Sequence, residues 1–187
     1  MHTNNHTRRG FTLIELLTVI GVLGILAGFL ITNISGARLR AQDAKKKTEL
    51  NSLKSALQLY YNKYQAYPPN PSTGSYGLKF MACGPNGTSQ CPYSGCSADF
   101  ASGGTDGCEN VYVTHIEKQS PTSNYFFFKY YRCKDTDDFR AKVTLSDYSK
   151  SDSDITASQL RCPPETCDIS PKPALSFGTK DFIICPN

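Results

Sequence analysis

Between Arg9 and Arg38 the chain has no lysine or arginine, and before Pro68 it has no proline. The first absence leaves residues 13–31, LIELLTVIGVLGILAGFLI, with Glu15 as their one charge and no cation beside it. The second excludes a proline kink anywhere in the first third of the chain. There is no Cys-x-x-Cys pair, and His115 is the only histidine after the first ten residues. Structural zinc, which needs closely spaced Cys or His ligands, is therefore disfavoured. A lone histidine with no nucleophile or carboxylate motif beside it builds no triad, so nothing in the sequence points to an enzyme.

What the 187 residues do contain is unevenly spread. Residues 1–10, MHTNNHTRRG, are short, polar and basic. The run 13–31 would span about 28 Å as a helix at 1.5 Å per residue, close to a hydrocarbon core of about 30 Å. Arg8 and Arg9 in front of it keep that end in the cytoplasm and put the remainder outside. A cleaved secretory signal has a shorter apolar region, and a plain signal anchor gives Glu15 no purpose. A carboxylate in a membrane helix costs roughly 2.5–3.5 kcal/mol at the centre and less near an end. Such a residue usually has a partner or a function. Cleavage after Gly10 would create one, a new amine on Phe11, four residues from Glu15. The pair can form within one subunit or between staggered neighbours, where it would set an assembly register.

Residues 8–17, RRGFTLIELL, resemble the processing motif of type IV pilins and type II secretion pseudopilins. The resemblance is close over 8–31 and looser to about residue 69. It implies that Gly10 is the cleavage site of a prepilin peptidase, that Phe11 becomes the methylated N-terminus, and that Glu15 is the assembly carboxylate. It further implies an inner-membrane assembly platform and, as partners, copies of this chain and other pilins in an extracellular or periplasmic filament. Many family members carry a proline near the end of the apolar run, where this chain has Thr32 and Asn33. Gly21, Gly24, Gly28 and Gly36 supply helix-weakening content instead, about 1 kcal/mol each relative to Ala at interior sites. Gly24 and Gly28 also have the spacing that permits close helix contact.

Residues 37–67 continue as a helix. Leu50, Leu53, Leu57, Tyr60 and Tyr64 recur at spacings of three and four and form one apolar stripe, with a thinner stripe of Ala37, Ala41 and Ala44 before it. Pro68 and Pro69 stop the helix. The basic residues Arg38, Arg40 and Lys45 to Lys47 read as a solvated face. The formal charge is +4 and falls by two when Arg8 and Arg9 go, too little to argue for nucleic acid.

Beyond residue 70 the aliphatic content drops. Residues 71–110 hold eight of the fourteen glycines and four of the eight cysteines. Cys83, Cys91, Cys96, Cys108, Cys133, Cys162, Cys167 and Cys185 all follow the apolar run, an even count that reads as disulfides in an oxidising compartment. Their pairing stays open among 105 connectivities. Strands are expected at 111–116, 125–132, 138–145 and 181–185. In 138–145, Phe139, Ala141, Val143 and Leu145 share one face and Arg140, Lys142 and Thr144 the other. Residues 134–138 would turn between the second and third strands. The aromatic run 125–131 reads as core, with stacking on bases or sugars as the alternative.

The fold class is thus α+β: a long N-terminal helix, half membranous and half amphipathic, packed on a small antiparallel sheet with disulfide-stapled loops. Its parts are a leader (1–10), a membrane or filament-core helix (11–34), an amphipathic extension (35–67) and an outer head (68–187). The function expected is that of a structural subunit of a type IV pilus-like filament. The alternatives are a secretion pseudopilin, or a minor pilin that binds DNA or a surface. No cofactor is required. Asp147, Asp152 and Asp154 are weak candidates for Ca²⁺, as are Asp135, Asp137 and Asp138. Neither group has the Gly and distant Glu of an EF-hand loop.

Overall fold

A computed structural model of the chain describes residues 10–71, 79–119, 126–134, 137–146, 152–169 and 175–186, the side chains of 29–33 excepted. The chain divides into two compact units, Met1–Leu39 and Arg40–Asn187. Helix α1, Leu13–Tyr64, belongs to both. It ends three residues short of the expected 67. Gln65 enters the left-handed region at φ 52° and its N–H bonds Tyr61 O at 2.7 Å, closing the last turn ahead of Pro68.

In the second unit, strands β5 (Lys129–Arg132), β6 (Phe139–Thr144) and β7 (Asp181–Ile184) form one antiparallel sheet with β6 central. Arg132 pairs Phe139, so residues 133–138 make the expected hairpin connection. The expected strand at 111–116 is shorter, β4 (Asn110–Val113), and it joins a separate ribbon. Its partner β3 (Phe100–Ser102) comes from the glycine-rich excursion, where the sequence shows no strand signal. A second small ribbon pairs β1 (Met81–Cys83) with β2 (Ser89–Gln90). One backbone crossing fixes these loops: a Cβ on Gly107, at φ +82°, would lie 2.7 Å from Gly84 Cα, so only glycine fits.

The helical stripe does what its spacing predicts. Leu50, Leu53, Leu57 and Tyr60 are buried, with Ala56 among them. They share one core with Phe80, Phe100, Phe126, Phe128, Tyr130, Phe139 and Val143. Burial alternates along the aromatic run although the expected strand 125–132 is strand only over Lys129–Arg132: Phe126, Phe128 and Tyr130 are buried, while Phe127 and Tyr131 are partly exposed. Tyr125 lies outside the described residues. Tyr130 Oη donates to Pro68 O at 2.8 Å, and burial pushes its phenol well above the ordinary value. Two carboxylate contacts place the helix on the sheet. Buried Asp43 accepts from Ser146 N–H at 3.1 and 3.0 Å, and Lys47 pairs with Asp152.

The outward face of β6 corrects the simple alternation. Arg140 is buried, because the 3-10 turn Pro164–Thr166 covers it. Its guanidinium donates to Asp138 Oδ1 and Thr166 Oγ1, both at 2.5 Å, and to Pro163 O at 3.4 Å. Helix α2, Ser153–Arg161, has no counterpart among the expected elements. Asp152 caps it by accepting from Asp154 N–H at 2.9 Å, and Asp154 adds a negative charge to the first turn. These two residues thus open a helix, and Asp147, the third of the expected acidic group, lies outside the described residues. The pattern of a capping Asp before Ile155, with Ser158 three residues on, is the signal that the sequence offers for it. The eight cysteines pair as Cys83–Cys91, Cys96–Cys108, Cys133–Cys167 and Cys162–Cys185.

The core can be tested at two points. Leu57→Ala removes a fully buried side chain and should cost about 2–5 kcal/mol, read as a lowered denaturant midpoint. The Asp181 carboxyl is desolvated by burial. Hydrogen bonds from Lys142 (2.7 Å), Thr144 (2.6 Å) and Gly178 N–H (2.8 Å) outweigh that and hold its pKa below the ordinary 3.8. Its contribution is therefore complete above pH 3.8 and is lost as pH falls through the lowered value. Asp181→Asn should flatten that acid limb of stability while lowering stability at neutral pH. An unchanged limb would show that Asp181 is not a source of it.

Candidate assembly site

Helix α1 opens on a reciprocal cap. Thr12 N–H and Thr12 Oγ1–H both donate to Glu15 Oε2, at 2.9 and 2.8 Å. Glu15 N–H in turn approaches Thr12 Oγ1 at 3.4 Å. This is a Thr-x-x-Glu capping box, which satisfies orphan donors of the first turn and sets a negative charge at the positive end of the helix dipole. Residues 12–15 carry its signature, which an argument from charge alone overlooks. Glu15 has no cationic partner among the described residues, but it has a polar one. Gly10 and Phe11 precede the cap and are exposed, Phe11 to 91%.

From Phe11 to Leu26 the large apolar side chains are between 55% and 91% exposed. They lie on every side of α1, not on one stripe. A helix that is apolar all round belongs inside a membrane or a bundle. A Cβ placed on Gly21, Gly24 or Gly28 would meet no atom within 4 Å, so nothing in the described chain uses their small size. Among the described residues, no helix is long and apolar enough to cross a membrane. The expected span 11–34 includes side chains 29–33, which lie outside the description. Ala37, Ala41 and Ala44 are also exposed.

Other candidates are separated from this site in sequence and in chemistry. Asp152 and Asp154 both face Lys47 Nζ, the latter at 3.3 Å. The Lys47 hydrogen bond, with that from Asp154 N–H, holds the Asp152 carboxyl below its ordinary value. A divalent cation there would have to displace Lys47. Asp147 and Asp135 lie outside the described residues, and Asp138 is engaged by Arg140. No group of three or more His, Cys, Asp or Glu side chains is placed to hold a metal among the described residues. His115 Nδ1 sits 3.2 Å from Asp99 Oδ2 at an exposed edge, with Ile116 N–H on the same oxygen at 2.7 Å. Asp99 there orders a backbone turn.

A capped apolar helix, headed by Gly10 and Phe11, is thus left uncovered by the described residues. Residues 5–31 match the family described as the prokaryotic N-terminal methylation motif. Over its N-terminal part the chain is similar to type II secretion core proteins and type IV major pilins. It is 34% identical over 82 residues to the type II secretion system core protein G of Pectobacterium carotovorum, covering 44% of this chain and 50% of that protein. It is 42% identical over 72 residues to the type IV wide pilus major component PilA4 of Thermus thermophilus, 38% of this chain and 55% of that one. With the type IV major pilin PilA of Myxococcus xanthus it shares 36% over 63 residues, 34% of this chain and 29% of that one. The chain spans about half the length of the first of these relatives. No solved structure matches it.

The cap gives a prediction of its own. Thr12→Val keeps the shape and removes Oγ1, and should cost about 1 kcal/mol of first-turn stability. Amide exchange of residues 13–16 in detergent should rise, and Thr12→Ser should restore protection. Equal exchange in all three proteins would show the box contributes nothing.

Proposed function

We propose that the chain is a structural subunit of a type IV pilus-like filament, assembled through α1 after cleavage following Gly10. One observation carries the reading: apolar surface from Phe11 to Leu26 is uncovered on all sides, with a single carboxylate at its head. Fully burying a Leu, Ile or Phe is worth about 1.5–3 kcal/mol. Membrane lipid supplies that burial before assembly and the helices of neighbouring subunits supply it afterwards. The N-terminus starts on the cytoplasmic side of the inner membrane, where a prepilin peptidase cuts and methylates, and an assembly platform adds subunits to the growing filament.

Cutting the Gly10–Phe11 bond replaces an amide by an ammonium one residue before Thr12. Glu15 Oε2 already points at Thr12 N–H, the neighbouring backbone group. The carboxylate is thus held at the helix end where the new charge appears. Pairing with that amine in an adjacent subunit neutralises both ions in a low-dielectric core, and leaving either alone there is costly. The head stays outside, where its four disulfides persist. A secretion pseudopilus is the second reading, favoured by the relatives named as type II secretion core protein G.

Mass spectrometry of the mature protein should find methyl-Phe11 as its first residue. A start at Met1, or after Ala37, would overturn the reading. Glu15→Val should reduce the yield of sheared filaments at least tenfold while leaving the level of membrane-inserted subunit unchanged. Normal yield would remove Glu15 from assembly.

A further inference from the structure

The head separates its uncompensated charges. A groove of about 310 Å³ is lined by Lys46, Lys118, Lys129 and Lys142, with Glu117 and the Phe127 ring. Lys142 is offset by Asp181 at 2.7 Å, and Glu117 is taken by Lys45 at 3.1 Å. Lys46, Lys118 and Lys129 form no ion pair among the described residues. Lys129 also stands directly opposite Lys142 in the β5–β6 ladder, a like-charge pairing that works against the sheet. The groove carries three cations in excess of balance.

The opposite excess lies in the loop 103–109. Asp106 and Glu109 are exposed there and form no ion pair among the described residues. The loop is held in one shape. Cys108 is bridged to Cys96 and its N–H donates to Asp106 Oδ1 at 2.9 Å, while Glu109 N–H bonds Gly103 O at 3.3 Å. The two patches sit at different heights on α1. Ser102 Oγ, just before the loop, is 2.9 Å from Tyr64 Oη. Glu117, next to Lys118, meets Lys45. From Lys45 to Tyr64 is about 28 Å along the helix at 1.5 Å per residue. That distance, nearly three Debye lengths at 0.1 M salt, prevents the patches from satisfying each other within one chain.

We infer that the basic groove of one subunit receives the acidic loop 103–109 of a second copy displaced along the helix direction. The inference rests on the filament reading and adds to it the outer contact between heads. Such a contact is heterologous: each copy presents both patches at different ends, so it propagates without closing, as a filament requires. Lys46, Lys118 and Lys129 meet Asp106 and Glu109 there, and the disulfide-held loop loses little freedom on docking.

The test uses filaments of the full chain, joined by a zero-length carbodiimide and digested for mass spectrometry. Isopeptide links from Lys46, Lys118 or Lys129 to Asp106 or Glu109 are expected, and about 28 Å is too far for them to arise within one chain. The double variant Lys118→Glu with Lys129→Glu should cut sheared-filament yield at least fivefold, and adding Asp106→Lys with Glu109→Lys should restore it. Filaments whose links all lie elsewhere, or a loss that the second pair does not rescue, would overturn the inference and leave the filament reading standing. Unchanged filaments that lose retention on a sulfated polymer would assign the groove to a foreign polyanion and also overturn it. If the native chain forms no filament at all, both readings fall together.

Discussion

Apolar surface on the first turns of α1 has no partner among the described residues, and that deficit is the constraint on which the proposed function depends. Eleven large side chains from Phe11 to Leu26 remain open. A soluble protein hides such a surface by folding back on it. Here α1 continues for a further 38 residues, and only its later part is covered by the sheet. The same helix thus serves two solvents. Its sequence changes character where the demand changes, from apolar all round to a stripe at spacings of three and four.

Glu15 is where the two demands meet. In isolation it is an expensive residue in an apolar segment. The capping box gives it a local purpose, since its carboxylate satisfies Thr12 N–H and suits the helix dipole. That local purpose and the assembly role are compatible. In the proposed assembly, the oxygen that closes the helix end binds Thr12 N–H, one residue from the Phe11 nitrogen that leader removal would free. A carboxylate held by its own helix loses less freedom on pairing than one that must first be ordered.

Periodicity and composition made the helix, its stripe, the β5–β6 hairpin and the core aromatics legible, because each depends on neighbours in sequence. The stripe Leu50, Leu53, Leu57 and Tyr60 needed only the helical repeat. The separate β3–β4 ribbon was not legible, because Phe100–Ser102 is too short to show alternation and is set by backbone crossings such as Gly84 with Gly107. Burial of Arg140 depends on a turn more than twenty residues away. The disulfide pairing depends on the finished fold in the same way. For the candidate site, Gly10, Phe11 and Glu15 could be named from the motif. The cap is readable from Thr12 and Glu15 together, and attention to charge alone hides it. Segregation of charge in the head required the fold, since Lys46, Lys118 and Lys129 are remote in sequence.

The overlapping bridges Cys133–Cys167 and Cys162–Cys185 bear on mechanical load. Fully drawn out, the chain from residue 133 to 185 would extend about 180 Å at 3.5 Å per residue. Through the two bridges the taut path is residue 133 to 167, back to 162, and across to 185. That is roughly 28 Å, made of five residues and the bridge spans of 4.9 and 5.7 Å. A pull transmitted into β5 or β7 therefore meets covalent bonds almost at once. The outer half of the head can lose its hydrogen bonds under tension without releasing slack, and when the load drops its ends are still close enough to re-form the sheet.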